Sequence, residues 1–326
     1  MGGSVKGLIV AGYGGHAAYA FAVAKEIVKL DVKLTILLPK GYEYLAPKFK
    51  GLGRLSFITL PRKPLEPFYK SLLRWPLSFI QSLEKLFEKY DFVFATGSNF
   101  SIPPSITQFF MKRIPIFVLE DVNRFSSKAK AVSVIQKMGG YVLLHWKEQL
   151  QLYPRGIVTG PVYEPLMYQS RDEGYVLVTL GTLGSKEVFD AVVNLDLEKA
   201  VVQTGDIDPL RYARRKPKWT FFNYHPDLHR WISNASVVIT HPGTTAVTAR
   251  LAYKKPVVLV YTKRHSMLYP RRDVELLARK LNATFLGNVN KESLIESLED
   301  AKKLSVPKYP QGSLSIAKIL SSIVNE

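Results

Sequence analysis

Short apolar runs of strand length alternate with amphipathic stretches along this chain, and the alternation occurs twice. In the first half, Val5–Ala11, Val32–Leu38, Leu55–Leu60, Phe92–Ala95, Ile114–Leu119, Tyr141–Leu144 and Ile157–Thr159 read as strands. Ala17–Lys29 and Phe68–Tyr90 read as helices between them. Continuous apolar strands without polar alternation are buried on both faces, which requires a parallel sheet covered by helices. Around 160–174, Pro161, Pro165, the Arg171-Asp172-Glu173 cluster and Gly174 interrupt the pattern, and it then restarts with Tyr175–Leu180. Helices at Ser185–Val193, Ala246–Tyr253 and Val274–Leu281 follow, with strands at Ala200–Gln203, Thr220–Phe222, Val237–Thr240 and Val257–Tyr261. The expected fold class is α/β, with two doubly wound domains facing across a cleft. The predicted divisions are 1–163, 164–306, and a C-terminal helix in 307–326 that packs back on the first domain.

In such sheets ligands bind beyond the carboxyl ends of the strands, so the loops there are the informative ones. The first half offers Gly12-Tyr-Gly14-Gly15-His16, Thr96-Gly97-Ser98-Asn99, and Glu120-Asp-Val-Asn-Arg124. The second offers Gly181-Thr182-Leu-Gly184-Ser185, Gln203-Thr-Gly205-Asp206, and His241-Pro-Gly243-Thr244-Thr245. Gly12-x-Gly14-x-x-Ala17 fits a dinucleotide fingerprint. A nicotinamide site also needs an acid at the end of the second strand, and that strand ends Leu38-Pro39-Lys40-Gly41. The diphosphate therefore belongs to the second half, where two glycine loops each lead into a helix N-terminus. Hydroxyls and backbone N–H groups would hold it; no carboxylate cluster suggests a metal, and no cofactor is expected.

The net charge of +18 is weighted toward the first half and implies acidic partners. The absence of cysteine excludes disulfides and thiolate chemistry. No zinc or RNP-like pattern points to nucleic acid, so the anionic partners expected are phosphorylated substrates and a membrane surface. Residues 64–90 interleave apolar and basic side chains, among them Phe68, Lys70, Leu72, Leu73, Arg74, Trp75, Phe79, Leu86 and Phe87. Lys70, Arg74, Trp75 and Phe79 are the expected contacts with an anionic leaflet, and Phe109–Arg113 extends the patch. The competing reading is a pair of core-packing helices. With no apolar run of 18 residues and no apparent signal peptide, a peripheral protein at the cytoplasmic membrane face is expected.

The order of these loops, ending in His241-Pro-Gly243 and Lys255-Pro256, resembles one branch of the GT-B glycosyltransferases. That branch holds the bacterial N-acetylglucosaminyltransferase that makes lipid II. It also holds the eukaryotic two-subunit enzyme that adds the second N-acetylglucosamine to dolichyl-diphosphate-GlcNAc. Glu120–Arg124 with Ser127-Lys128, His145–Glu148 and Tyr153-Pro154 resembles the eukaryotic membrane subunit. Val178–Thr182 and His241–Gly243 resemble its donor-binding partner, so the chain looks like both subunits fused, in an archaeal-like arrangement. The resemblance implies an inverting transferase that moves N-acetylglucosamine from UDP-GlcNAc to a polyprenyl (dolichyl) diphosphate-linked GlcNAc in N-glycan precursor assembly. It places the acceptor on Gly14, Gly15, Gly97, Ser98, Asn99 and Arg124. It places the donor on Gly181, Thr182, Gly184, Ser185, Gln203, Gly205, His225, His241, Gly243, Thr244, Thr245 and Arg271.

Transfer to a hydroxyl needs a base, and His16 and Glu120 are the candidates. Glu120 would serve as a second base or would orient His16. The bland alternatives are a helix-capping His16 and a Glu120–Arg124 ion pair. The chain departs from the family where a ribose-binding Glu is usual, since Ala249 and Arg250 stand there. Asp273 or Glu275 would then replace the ribose contact, and Arg271 or Arg272 the diphosphate contact. Two other functions fit the same loops: a UDP-sugar epimerase and a non-catalytic nucleotide-sugar-binding subunit.

Overall fold

The computed structural model describes residues 5–63, 66–85, 88–225 and 227–322. Two compact units are present: Met1–Val162 with Pro310–Glu326, and Tyr163–Tyr309.

The first unit is built from β1 (Lys6–Val10), α1 (Gly15–Ile27), β2 (Lys33–Pro39), β3 (Arg54–Ile58), α2 (Arg74–Lys85), β4 (Phe92–Ala95), α3 (Ile102–Lys112), β5 (Ile116–Leu119), α4 (Lys130–Lys137), β6 (Tyr141–Leu144) and β7 (Ile157–Val158). The strands form one sheet in the order β3-β2-β1-β4-β5-β6-β7, and each neighbouring pair is parallel. Leu8, Ile9, Val10, Phe92, Val93 and Phe94 are all fully buried, as strands covered on both faces require. The strand order reverses direction between β1 and β4, and the crevice at the carboxyl edge of such a reversal is where ligands bind in sheets of this kind.

The second unit contains β8 (Tyr175–Thr179), α5 (Lys186–Val192), β9 (Ala200–Gln203), α6 (Leu210–Ala213), β10 (Thr220–Phe222), α7 (Leu228–Asn234), β11 (Ala235–Thr240), α8 (Thr244–Val247), β12 (Val257–Val260), α9 (Lys263–Ser266), α10 (Arg271–Leu281), β13 (Thr284–Leu286) and α11 (Lys291–Lys303). Its parallel sheet runs β10-β9-β8-β11-β12-β13, with the reversal between β8 and β11. The final helix α12 (Gly312–Ser322) belongs to the first unit and packs on α1. α1 accepts this neighbour because Ala17, Ala18, Ala20, Ala22 and Ala24 keep its surface shallow.

Two helices differ from the expectation. The stretch expected as one helix over 68–90 is a 3-10 turn at Phe68–Ser71 followed by α2. Pro76 explains the late start: it lacks an N–H and is tolerated only in a first helical turn. Leu86 and Phe87 lie outside the described residues. The helix expected over 246–253 begins at Thr244 and widens into a π-helical turn at Thr248–Ala252.

Candidate active site

At the first crevice, the loops after β1 and β4 meet through His16. Its Nδ1 lies 2.6 Å from the Thr96 carbonyl oxygen. A carbonyl oxygen only accepts, so Nδ1 carries the hydrogen, and in the neutral ring the lone pair is on Nε2. Thr96 is itself fixed, because its hydroxyl lies 3.0 Å from the carbonyl oxygens of both Val10 and Ala11. The group that orients His16 is therefore a backbone carbonyl, which corrects the expectation that Glu120 does so.

Gly14, the N-cap of α1, and Gly15 are exposed. Gly97 is buried with φ +85°, and a Cβ there would stand 2.4 Å from the Leu119 oxygen. Its smallness lets the β4 loop approach β5. Ser98 Oγ is buried without a hydrogen-bond partner, next to Gly12 of the His16 loop; Asn99 is half-buried beyond it. This orphaned hydroxyl is the residual polar group of the crevice.

Glu120 occupies a different role from the one expected. It is completely buried, and its carboxylate accepts the N–H groups of Asp121 at 2.8 Å and Ala129 at 3.0 Å. The Tyr153 hydroxyl donates to the same carboxylate. Burial pushes its pKa above the usual carboxylate range, with these hydrogen bonds opposing the shift. Glu120 is thus the internal brace of the 120–129 loop. Gln149 adds Nε2 bonds to the carbonyls of Asp121 at 2.8 Å and Arg124 at 3.0 Å, and Trp146 Nε1 donates to Val122 at 2.8 Å. A loop restrained at so many points presents Arg124, half-buried beside Ser127 Oγ at 3.1 Å, in a fixed position.

At the second crevice, the loops after β8 and β11 come together. A Cβ on Gly181 would lie 3.1 Å from His241 Cε1, so the glycine admits the imidazole. Burial lowers the His241 pKa to about 4 and keeps the ring neutral; its Nδ1 is buried without a partner. Thr244 and Thr245 open α8, Gly243 precedes them, and Thr182 and Ser185 flank the β8 loop. Gly184 and Gly205 serve the packing of two loops: their Cβ atoms would stand 2.1 Å from the Thr204 oxygen and 2.4 Å from the Thr182 oxygen. Gln203 ends β9 with Oε1 buried and without a partner.

His225 stands apart from this group. It follows β10 at the end of the sheet, its Nδ1 lies 2.9 Å from the Asp227 carbonyl oxygen and 3.1 Å from the Asp227 nitrogen, and its ring packs by Phe222 and Trp231. Its observed partners are those of a turn residue. Arg271 opens α10 in the region following β12, lies over Phe285 and pairs with Glu275 at 2.7 Å. Glu275 makes that exposed pair, and Asp273 is buried. Arg250, which follows the Ala249 that stands in place of the family Glu, is completely enclosed. Its guanidinium donates to the carbonyls of Leu281, Lys255, Asn282, Leu304 and Ser305 at 2.7–3.0 Å. It ties together the C-terminal ends of α10 and α11, a role that no local motif announces. Among the described residues, no three His, Asp or Glu side chains converge as a metal-binding group.

The expected membrane contacts divide. Arg74 turns inward to Glu66, whereas Lys70 is exposed and Trp75 and Phe79 are half-buried. Around them Phe68, Tyr69, Leu72, Leu77 and Ile80 are exposed, and Leu73 is 88% exposed. α3, which packs on α2, adds exposed Phe110 and Met111. No helix of the described residues is long and apolar enough to cross a membrane.

Comparison with known proteins fits this architecture. Over 96% of both chains, the sequence is 24% identical to a UDP-N-acetylglucosamine–N-acetylmuramyl-(pentapeptide) pyrophosphoryl-undecaprenol N-acetylglucosamine transferase of Caldicellulosiruptor saccharolyticus. Acinetobacter baumannii MurG superposes with a TM-score of 0.62 at 16% identity, covering 98% of this chain and all of that one. Neisseria meningitidis UDP-GlcNAc 2-epimerase, solved bound to UDP-GlcNAc, superposes with a TM-score of 0.67 at 13% identity over 98% and 100% of the chains. The chain has the GT-B fold, and its residues 175–311 match the glycosyltransferase family 28 C-terminal domain.

Proposed function

We propose that this chain is an inverting, metal-independent transferase that moves N-acetylglucosamine from UDP-GlcNAc to a polyprenyl-diphosphate-linked amino sugar, at the cytoplasmic face of a membrane. The observation that carries the reading is the His16 tautomer: Nδ1–H on the Thr96 carbonyl leaves Nε2 as a free base. Nε2 takes the proton of the acceptor hydroxyl while that oxygen attacks the anomeric carbon. The bond from that carbon to UDP breaks on the opposite face, and UDP leaves with the electron pair. Thr182, Ser185, Thr244 and Thr245, with the N–H groups of their loops, meet the negative charge on the diphosphate. His241, neutral near pH 7, contributes a hydrogen bond there rather than a charge. Arg124 faces the acceptor diphosphate, and Glu120 acts by bracing its loop.

The family 28 domain and the transferase activity of the Caldicellulosiruptor relative favour sugar transfer over epimerisation, although epimerases share the fold. That relative's acceptor is a muramyl-pentapeptide lipid, whereas the motifs of the first unit resemble those for a dolichyl-diphosphate-GlcNAc acceptor. Incubation of the chain and UDP-GlcNAc with short-chain versions of each acceptor, read by mass, separates the two. The addition of one HexNAc is expected, unaffected by EDTA, and about 100- to 10,000-fold slower in His16→Ala. Conversion of UDP-GlcNAc to its 2-epimer without acceptor would instead establish the epimerase.

A further inference from the structure

Adjacent strands of the first unit bring aromatic rings together beside His16. Tyr13 lies in the loop after β1, and its carbonyl accepts the His16 N–H at 3.2 Å. Tyr42 lies in the loop after β2, and the two rings stack with centroids 4.5 Å apart and planes 26° apart. Tyr44 follows, 6.0 Å from Tyr42 and 40% exposed. Tyr13 and Tyr42 are half-buried and rest on the core cluster of the unit, so the stack is held from below. Burial chiefly raises the Tyr13 pKa, and the Glu66 carboxylate, fixed by the Lys63 N–H at 3.0 Å and by Arg74, is near enough to add to the rise.

A pyranose ring has an apolar C–H face and a rim of hydroxyls. A rigid aromatic surface with a carboxylate near it matches both parts. Two residues, Gly14 and Gly15, separate Tyr13 from His16, a reach of about 10 Å at most. The group within that distance of a base acting on a sugar hydroxyl is the sugar itself; the lipid lies two phosphates further away.

We infer that Tyr13 and Tyr42 form a platform for the acceptor's sugar ring and set the preference for that sugar. The inference rests on His16 acting at an acceptor hydroxyl. The test compares the binding of farnesyl-diphosphate-GlcNAc with that of farnesyl diphosphate by titration calorimetry. The wild-type chain binds the sugar-bearing ligand more tightly. Tyr42→Leu keeps apolar volume on the core but lacks a flat ring, and it reduces that preference about tenfold without changing affinity for farnesyl diphosphate. Tyr42→Phe retains the preference. Thermal melting of both variants confirms that they fold. Equal loss for both ligands, no difference between the Leu and Phe variants, or no wild-type preference overturns the platform. The transfer assay is scored separately. A chain that prefers the sugar-bearing ligand yet transfers nothing overturns the transferase reading and leaves the platform standing. A chain that transfers while Tyr42→Leu keeps its preference does the reverse.

Discussion

Single side chains divide here between chemistry and architecture in ways their sequence neighbours do not reveal. His16 stands out in sequence because it directly follows two glycines at a strand end, and the structure sets its Nδ1 on the Thr96 carbonyl. Glu120 was legible as important, but its burial and its three partners make it a brace. Arg250 shows the limit most clearly. In sequence it is a charge beside the Ala249 that replaces the family's acid; in the structure its donors reach carbonyls from three separate stretches of chain. Removing it leaves those carbonyls buried without donors, and unsatisfied buried groups cost about 1–3 kcal/mol each. Arg250→Met is therefore expected to lower unfolding free energy by about 3–5 kcal/mol, measured by urea denaturation, while Lys303→Met on the exposed face of α11 changes it by less than about 0.5 kcal/mol. Equal midpoints for the two variants would show that the carbonyls find other donors.

Elements explain why the glycine loops are clustered. Parallel strands with helical crossovers deliver every βα loop to one edge, and the reversals at β1/β4 and β8/β11 decide which loops meet. Strand runs such as VKLTILL and FVFA reveal the sheet order only after their neighbours are known, so the alternation was readable but the pairing was not. The π-helical turn at Thr248–Ala252 was also hidden, because no composition marks it. Gly184 and Gly205 were expected to make room for a ligand; instead they make room for each other's loops. Gly205 has φ +64° and a Cβ there would overlap the Thr182 and Gly181 oxygens at 2.4 and 2.7 Å. Gly205→Ala should then cost about 2–4 kcal/mol through backbone strain and displacement of the β8 loop. The consequence at the site is a weaker hold on UDP, visible by titration as a raised Kd, with acceptor binding unaffected. A variant with normal stability and normal UDP affinity would show that the two loops are not coupled.

The whole molecule carries two responses to its surroundings. His145 is buried, its Nδ1 accepts the Val162 N–H at 3.0 Å, and burial lowers its pKa to about 3. An unfolded chain protonates this ring near pH 6.5, about where a free histidine titrates. Between those values the unfolded state binds more protons, so stability falls as pH falls from about 6.5 toward 3, by up to about 1.4 kcal/mol per pH unit. His145→Asn, which keeps an acceptor for Val162, is expected to flatten that part of the urea-midpoint profile. The second is the response to membranes that we propose. The charge of +18 was a signal of acidic partners in general, and the apolar-basic stretch at 68–83 gave it a location. Its exposed residues set it apart from a core helix: Leu73 is 88% exposed, and burying it in a bilayer would be worth about 1.5–3 kcal/mol. Each nearby lysine adds about 1 kcal/mol at an anionic surface and loses it in high salt. The chain should therefore float with phosphatidylglycerol-containing vesicles at low salt and partly detach at high salt. Leu73→Glu should lower the partition coefficient about tenfold or more with an unchanged melting temperature, whereas the exposed Leu314→Glu on α12 should not alter it. Equal flotation of these two variants would move the docking face away from α2 and the turn before it.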